Sequence, residues 1–549
     1  MRYLLILPPL LFLGVFYFYP LASILSLGFF PDGGWEIGRL RQLISSKYYL
    51  EVLWFTTWQA GLSTLSTLVL ALPGAYLFSH FEFRGKQILQ TLTTVPFVLP
   101  TVVTAAAFKA LLGNGGLINR TLMHLFEWSA PPIRIDHTVW FFIMAHVFYN
   151  YTVVLRILGG FWSRLPLDLT ESANVLGASP VKTFFRITLP LLLPAIWAST
   201  LLVFIFCFTS FGVVLILGGP RLSTVEVEIY RQAVHLFNLP MAAGLSLVQI
   251  LFTFCLMALY TRLEKSTAVS FMPEMSGRSV RRPQTRGQGF WVGLGNTSIL
   301  ILLGGPVLAL LIGSVMTENG LSLAYYRSLF HHETRSILYI APFEAILNSV
   351  GFAVLATVTA LILGWFSAAY LVRSKGRGNG WWDPIFMLPL STSAVTLGFG
   401  FIIALDEPPL NLRTSMWLPV AAHAMVAFPF VVRSLLPAWR SIPRCLREAA
   451  TMLGGSPLRV WLAVDWPILA RALAVGAVFA FAVSMGEFGA TSFVARPRTA
   501  TMPLAIYRFL SHPGTLNYGK AMAMSCLLML TTAAGFIILE RIRSASREQ

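Results

Sequence analysis

Long apolar runs separated by short polar stretches set the pattern of this chain. Runs of about 20 residues, enough to cross a bilayer as helix, fall near 4–29, 52–79, 89–112, 139–163, 190–218 and 242–262. Six more fall near 293–316, 343–372, 384–405, 416–438, 467–494 and 518–540. The pattern predicts an all-α integral membrane protein of twelve spans, built as two tandem six-helix repeats, 1–262 and 293–549. The stretch 263–292 between them has no apolar period and carries Arg278, Arg281, Arg282, Pro283 and Arg286, so it reads as a basic tether. The first run begins behind Met1-Arg2 and lasts to about Phe30. That is longer than a signal-peptide core and has no small-residue cleavage site, so it reads as a retained span.

Composition agrees with the pattern. The chain has 549 residues, 56% hydrophobic and 11% charged, with mean hydropathy +0.71; a soluble protein has about 25% charged residues. The net charge of +17 does not point to nucleic acid, because the basic residues are spread through the loops. Arg84, Lys86, Lys182, Arg186, Arg373, Lys375, Arg440, Arg444, Arg447, Arg459, Arg541 and Arg543 fall on one side of the predicted spans. The bias of Lys and Arg toward the cytoplasm makes that side, and both termini, cytoplasmic. Arg39, Arg41, Lys47, Arg496 and Arg498 on the other side leave this as a bias. Cys207, Cys255, Cys445 and Cys526 show no paired spacing, so neither a disulfide framework nor a metal site is expected.

One polar stretch occurs twice on the basic side. Glu171-Ser172-Ala173 is followed by Gly177, Ser179-Pro180 and Leu189-Pro190; Glu448-Ala449-Ala450 is followed by Gly454, Ser456-Pro457 and Trp466-Pro467. The register is constant, 448 − 171 = 277, and such self-similarity decides the fold before anything else. Each copy reads as two short helices joined at a glycine free to take positive φ. Other matches at 277 include Ala145-His146 with Ala422-His423, and Phe211-Gly212 with Phe488-Gly489. Upstream, Leu99-Pro100 pairs with Leu388-Pro389 at 289, which implies 12 extra residues within 113–137. Six spans per copy give both halves one orientation, so an axis along the membrane normal should relate them.

The repeated stretch resembles the signature loop of permease subunits of binding-protein-dependent ABC importers. Its pattern, as it stands here, is Glu-Ala-Ala, three residues, Gly, eleven residues, an apolar residue and Pro. Glu171, Ala173, Gly177 and Pro190 fit it, with Ser172 at the first alanine position. Glu448, Ala449, Ala450, Gly454 and Pro467 fit in the second copy. The resemblance implies that loops 165–190 and 442–467 couple the spans to two copies of a separate ATPase, which binds ATP and magnesium. It also implies a substrate-binding protein on the far side and a bacterial or archaeal inner membrane. Phe208-Thr209-Ser210-Phe211-Gly212, running on to Glu226-Val227-Glu228-Ile229-Tyr230, and Met485-Gly486-Glu487-Phe488-Gly489 are similar to thiamine permeases and their ferric-iron relatives. The implied function is import of a small cationic solute, with thiamine first and ferric iron as the alternative. An ion-coupled secondary transporter would also have twelve spans, yet it gives no reason for the duplicated loop.

Charge within a span marks function or a bundle interior. Glu487 lies in the eleventh span and its repeat partner is Ser210. With Phe211 and Phe488 these are the candidates for the solute path; the other reading is a carboxylate satisfied by nearby backbone and hydroxyls. His146 and His423 read as interhelical hydrogen bonders or as a proton relay. Arg156 and Arg433 could pair with the signature loops or snorkel to headgroups. Lys109 and Glu344 are expected at the interface. Gly514 to Lys520 has the spacing of a phosphate loop, but Ala521 replaces the magnesium-binding hydroxyl and no strand precedes it. No catalytic residue and no cofactor of its own are expected in this chain.

Overall fold

A computed structural model describes residues 2–30, 41, 43, 45–268, 282–318, 320–330, 341–373, 382–406, 408 and 410–545. The first half opens with α1 (Arg2–Leu13) and α2 (Tyr19–Phe29), joined through a π-turn. The long α3 (Lys47–His80) follows, then three short pieces, α4 (Lys86–Leu92), α5 (Val95–Val98) and α6 (Thr101–Leu112). After α7 (Leu117–Phe126) come α8 (Val139–Trp162), the loop helices α9 (Leu167–Val175) and α10 (Pro180–Thr183), and α11 (Leu189–Phe208). Two short helices, α12 (Gly212–Leu217) and α13 (Val225–Tyr230), precede α14 (Leu239–Ala268).

The second half repeats this order. α15 (Arg286–Val315) leads into a two-residue hairpin, Met316–Thr317 with Gly320–Leu321, and α16 (Ala324–Ser328). α17 (Pro342–Arg373), α18 (Trp382–Ser391), α19 (Ala394–Leu405) and α20 (Trp417–Arg440) follow. Then come the loop helices α21 (Arg444–Met452) and α22 (Pro457–Val460), α23 (Trp466–Met485), α24 (Thr491–Val494), α25 (Met502–Ser511) and α26 (Thr515–Ala545). Of the expected tether, 263–268 and 286–292 are helical, while Arg278 and Arg281 lie outside the described residues.

Among the described residues ten helices are long and apolar enough to span, or eleven if the pair α18 and α19, bent by 96°, is one broken span. The twelfth expected span is present as α26, but Asn517, Tyr518 and Lys520 make its first turns polar. Four expected spans are interrupted. Run 89–112 breaks before Pro100, where Leu99 is extended (ψ 131°) because the proline ring disfavours helix in the residue before it. Run 384–405 breaks at Thr392-Ser393, and Ser393 caps α19 by accepting from the Val395 N–H. Runs 190–218 and 467–494 end early, at Phe208 and Met485, and resume as α12 and α24.

Helix ends correct the upstream register. α6 and α19 start and stop at the same offset, since 394 − 101 and 405 − 112 both equal 293. Val95-Pro96 therefore pairs with Leu388-Pro389, and the first half carries 293 − 277 = 16 extra residues. They include much of α7, an amphipathic helix with no counterpart among the described residues. The same register explains a shared contact. Thr56 Oγ1 accepts from the Val225 N–H at 3.0 Å, and Ser349 Oγ accepts from the Met502 N–H at 2.7 Å. Each hydroxyl satisfies an N–H that the start of a helix leaves open.

The halves exchange their first helices. α1 lies along α17 and α2 along α19, while α15 lies along α6 and α3. Within each half the chief pairing is α3 with α8, and α17 with α20. Tyr17 reaches across to Thr392 Oγ1 at 2.7 Å, tying the first helix to the break in the second half.

Candidate functional site

The two signature loops have the local structure their residues dictate. Gly177 and Gly454 take φ of +77° and +79°, a region that L side chains rarely adopt. The Ala178 N–H returns to Ala173 O at 3.0 Å, and the Gly455 N–H to Ala450 O at 3.1 Å, closing the first helix. Ser179 and Ser456 then cap the second helix, with Pro180 and Pro457 in its first turn. Glu171, Glu448, Ala449, Pro190 and Pro467 are exposed, Ala450 is half-buried and Ala173 is buried. At the turns Val175 and Leu176 are 87% and 86% exposed, and Met452 and Leu453 are both 89% exposed. Paired apolar tips held on capped helices form a surface that this chain leaves uncovered. One difference stands out: Arg447 Nε donates to Asp465 Oδ1 at 2.7 Å, tying α21 to the segment before α23. The matching positions in the first loop are Thr170 and Thr188, which carry no charge.

At the far end of α11 and α23 the other candidates come together. His146 is buried, sharing hydrogen bonds with Ser63 Oγ at 3.0 Å and Ser210 Oγ at 2.8 Å. His423 is equally buried and bonds Ser484 Oγ at 2.8 Å and Thr491 Oγ1 at 2.9 Å. The partners differ because Ser63 is matched by Ala356 and Ser484 by Cys207. A neutral imidazole has one donor and one acceptor, and a hydroxyl can answer either. Both histidines are thus interhelical hydrogen bonders.

Glu487 is 5% exposed. Its Oε1 accepts from the Ala490 N–H at 2.7 Å, and its Oε2 from the Thr491 N–H at 2.9 Å and from the Thr491 hydroxyl. His423 Nε2 lies 3.6 Å from Oε2. The carboxylate closes the break between α23 and α24 from inside. Ser210 occupies the matching break, its hydroxyl bonding His146 and its N–H donating to Cys207 O at 3.4 Å.

Phe211 and Phe488 stack on each other, centroids 5.3 Å apart and planes 23° off parallel. Because they are the same position in the two halves, the axis relating the halves passes between their rings. Tyr230 packs on Phe211 at 5.4 Å and its partner Tyr507 on Phe488 at 5.5 Å. Gly212 and Gly489 allow this closeness: a methyl on Gly212 would sit 2.7 Å from Thr101 Oγ1, and one on Gly489 3.0 Å from Ala394 Cβ.

Beyond the stack lies a cavity of about 380 Å³, with Tyr230, Tyr507, Lys109, Arg231, His137 and His235 in its wall. Lys109, half-buried in the last turn of α6, thus lines this cavity. Glu344, in the first turn of α17, is exposed. Arg156 Nη2 donates to Thr94 Oγ1 at 2.5 Å. The stretch after Gly514 is the first turns of α26, with Lys520 buried in the helix.

Two buried carboxylates lie in the stretch 226–230, where the resemblance alone gives them no role. Glu226 is fully buried; Oε2 accepts from Ser393 Oγ at 2.8 Å across to the second half, and Oε1 from Gln249. Burial pushes its carboxyl up to about 7. Glu228, 1% exposed, accepts from Tyr48 at 2.9 Å, Ser223 at 3.2 Å, Gln232 at 2.7 Å and Arg231 at 3.5 Å. The signal was available in the repeat, since Pro503 and Ala505 stand at the matching positions.

Comparison with known proteins accords with this arrangement. The family described as binding-protein-dependent transport system inner membrane component matches residues 67–269 and again 360–547. The two matches start 293 residues apart, the offset of the helix ends. The thiamine transport system permease protein ThiP of Brucella suis biovar 1 (strain 1330) is 26% identical over 504 residues, 91% of this chain and 89% of that protein. ThiP of Escherichia coli (strain K12) is 25% identical over 505 residues, covering 90% and 89%. The putative 2-aminoethylphosphonate transport system permease protein PhnU of Salmonella typhi is 28% identical over 267 residues, 48% of this chain and 92% of that protein. With both halves matched, the chain belongs to the family of binding-protein-dependent transport system inner membrane components, two units in one polypeptide.

Proposed function

We propose that this chain is the complete membrane path of an ATP-driven importer for thiamine. The observation that carries the reading is the paired loop. Two closely matched helix–glycine–helix turns expose apolar tips, as docking to two copies of one ATPase requires. Similarity to ThiP along nine-tenths of the chain supports thiamine as the solute. In this reading the loop end and both termini are cytoplasmic, and a binding protein delivers solute to the cavity end. ATP and magnesium are held by the separate ATPase. When two ATPase subunits close, the loops move as levers, because capped helices transmit displacement where a flexible strand would not. The halves then part at the Phe211–Phe488 stack. Glu487, with both oxygens engaged, acts as a positioning residue for the break between α23 and α24.

The test is ATPase stimulation in the reconstituted complex, with the binding protein loaded with thiamine or ferric iron in parallel. Stimulation by the thiamine-loaded protein alone is expected. Stimulation by the ferric form alone would replace the solute, and uptake without any ATPase would overturn the importer reading.

A further inference from the structure

A second cavity, of about 460 Å³, opens between α3, α8 and α15, away from the aromatic stack. Val69, Leu70 and Pro73 of α3 and Ile299, Ile301 and Leu302 of α15 make its apolar walls. Val69, Leu70, Pro73 and Ile301 are exposed, so the groove opens toward the membrane. Two hydroxyls line it, and they differ. Ser298 Oγ is engaged within its own helix, donating to Leu294 O at 2.8 Å and Gly295 O at 3.0 Å. Tyr151, from α8, is 2% exposed, and its hydroxyl has no hydrogen-bond partner among the described residues. A buried phenol ordinarily finds one, and in a bilayer core water does not supply it.

The groove has a shape and a depth. A methyl on Gly74 would collide with the Tyr151 hydroxyl, so that glycine makes room for it, and one on Gly295 would sit 2.7 Å from Leu77 Cδ1. Both glycines mark the end of the groove nearer the signature loops. Exposed aromatic residues follow closely, Tyr76 two residues beyond Gly74 and Trp291 four residues beyond Gly295, as in an interfacial belt. At 1.5 Å per residue the hydroxyl lies within about 6 Å of that belt. This is the edge of the hydrocarbon core, where the esters of a phospholipid join its chains to its head. From there the walls run deeper along both helices, toward Val69 on α3 and Leu302 on α15.

We propose that the groove binds one phospholipid, with an acyl chain between α3 and α15 and the Tyr151 hydroxyl donating to that chain's ester carbonyl. The volume is within the range of small-molecule sites. Because α15 belongs to the second half and α3 and α8 to the first, the chain fills a seam between the halves. The twin positions carry no such groove chemistry. Phe366 stands for Pro73, Ser367 for Gly74 and Phe428 for Tyr151. Phe428 is buried against Phe386, with centroids 6.1 Å apart. Side chains fill that seam where lipid fills this one.

The experiment is native mass spectrometry of the delipidated full chain, titrated with dioleoyl phosphatidylglycerol or with its dialkyl ether analogue, which lacks the carbonyls. It needs neither ATPase nor binding protein, so its outcome is independent of the importer reading. One ester lipid should bind at least tenfold more tightly than those that follow. Ser298→Phe, which fills the groove, should abolish that first step. Tyr151→Phe keeps the ring and should weaken it roughly two- to tenfold, as for one hydrogen bond. The ether lipid should bind the wild-type chain as weakly as the ester lipid binds Tyr151→Phe, and should not distinguish the two chains. Tyr151→Phe preserves shape, so this arm decides the matter even where Ser298→Phe fails to assemble. A series of equal, weak lipid steps overturns the proposal, as does a tight step that survives Ser298→Phe. Ether and ester lipids held equally by the wild-type chain would remove the role of Tyr151.

Discussion

Ser210 and Glu487 occupy one position in two copies of the same fold, yet their surroundings differ in kind. Ser210 is held by His146, which reaches a serine on α3. Glu487 accepts two backbone N–H groups and a hydroxyl, and faces His423. The same contrast runs along the far end: Glu226 against Pro503, Lys109 against Ile402, and α7 against no helix among the described residues. At the loop end the halves are near copies, down to φ at Gly177 and Gly454 and the exposure of the four tip residues. Identical partners impose identical surfaces. A solute without two-fold symmetry imposes no such constraint, so the end that meets it has diverged.

The largest expected effect comes from the symmetric end. Replacing Val175 and Leu176 by Asp removes the apolar contacts of one tip, roughly 1.5–3 kcal/mol per side chain once buried. ATP-driven uptake should fall by two orders of magnitude or more, on the order of what two such contacts are worth, and Met452→Asp with Leu453→Asp should match it. If one pair were tolerated and the other not, the loops would not be equivalent despite their geometry.

An intermediate effect should separate the two breaks. Glu487→Ala leaves the buried Ala490 and Thr491 N–H groups without an acceptor, at about 1–3 kcal/mol each. Ser210→Ala strips one hydroxyl from His146. Thermal unfolding in detergent should therefore show a drop several-fold greater for Glu487→Ala. Equal drops would mean that the carboxylate is not what holds the second break.

The smallest effect concerns the carboxyl between the halves. Glu226 lies in α13, between spans, and burial raises it to about 7 from an ordinary value near 4.3. The folded chain keeps it neutral at pH values where the unfolded chain would ionise it. Its contribution to stability thus falls as pH rises from about 4.5 to 7 and stays low above that. Glu226→Gln cannot ionise and should lose less melting temperature between pH 5 and pH 8, by on the order of a few degrees. Parallel pH profiles for the two chains would sink the idea that this carboxyl is neutral in the closed interface.

The coupling loops were legible because they are local. Glu-x-Ala, Gly and Ser-Pro act within one or two turns, so their helices, the left-handed glycine and the caps follow from neighbouring residues. The far end was legible only in part. Pro96, Pro100 and Pro389 announce breaks, but the apolar run continues through them, and periodicity alone merged α5 with α6 and α18 with α19. The 289 register arose in the same way, from matching Leu99-Pro100 to Leu388-Pro389 when the helix ends pair Val95-Pro96 with it.

By itself the sequence determined the membrane class, the two-fold repeat at 277 and the exposed loops, since hydrophobic run length, loop charge and short-range capping are written residue by residue. Only the tertiary structure decided that Phe211 meets Phe488, that Glu487 turns inward to cap a broken helix, and that Lys109 opens into a cavity. Those facts depend on which helices lie together after each half lends its first helix to the other. Contacts between residues far apart in the chain are set by that packing and leave no local signature.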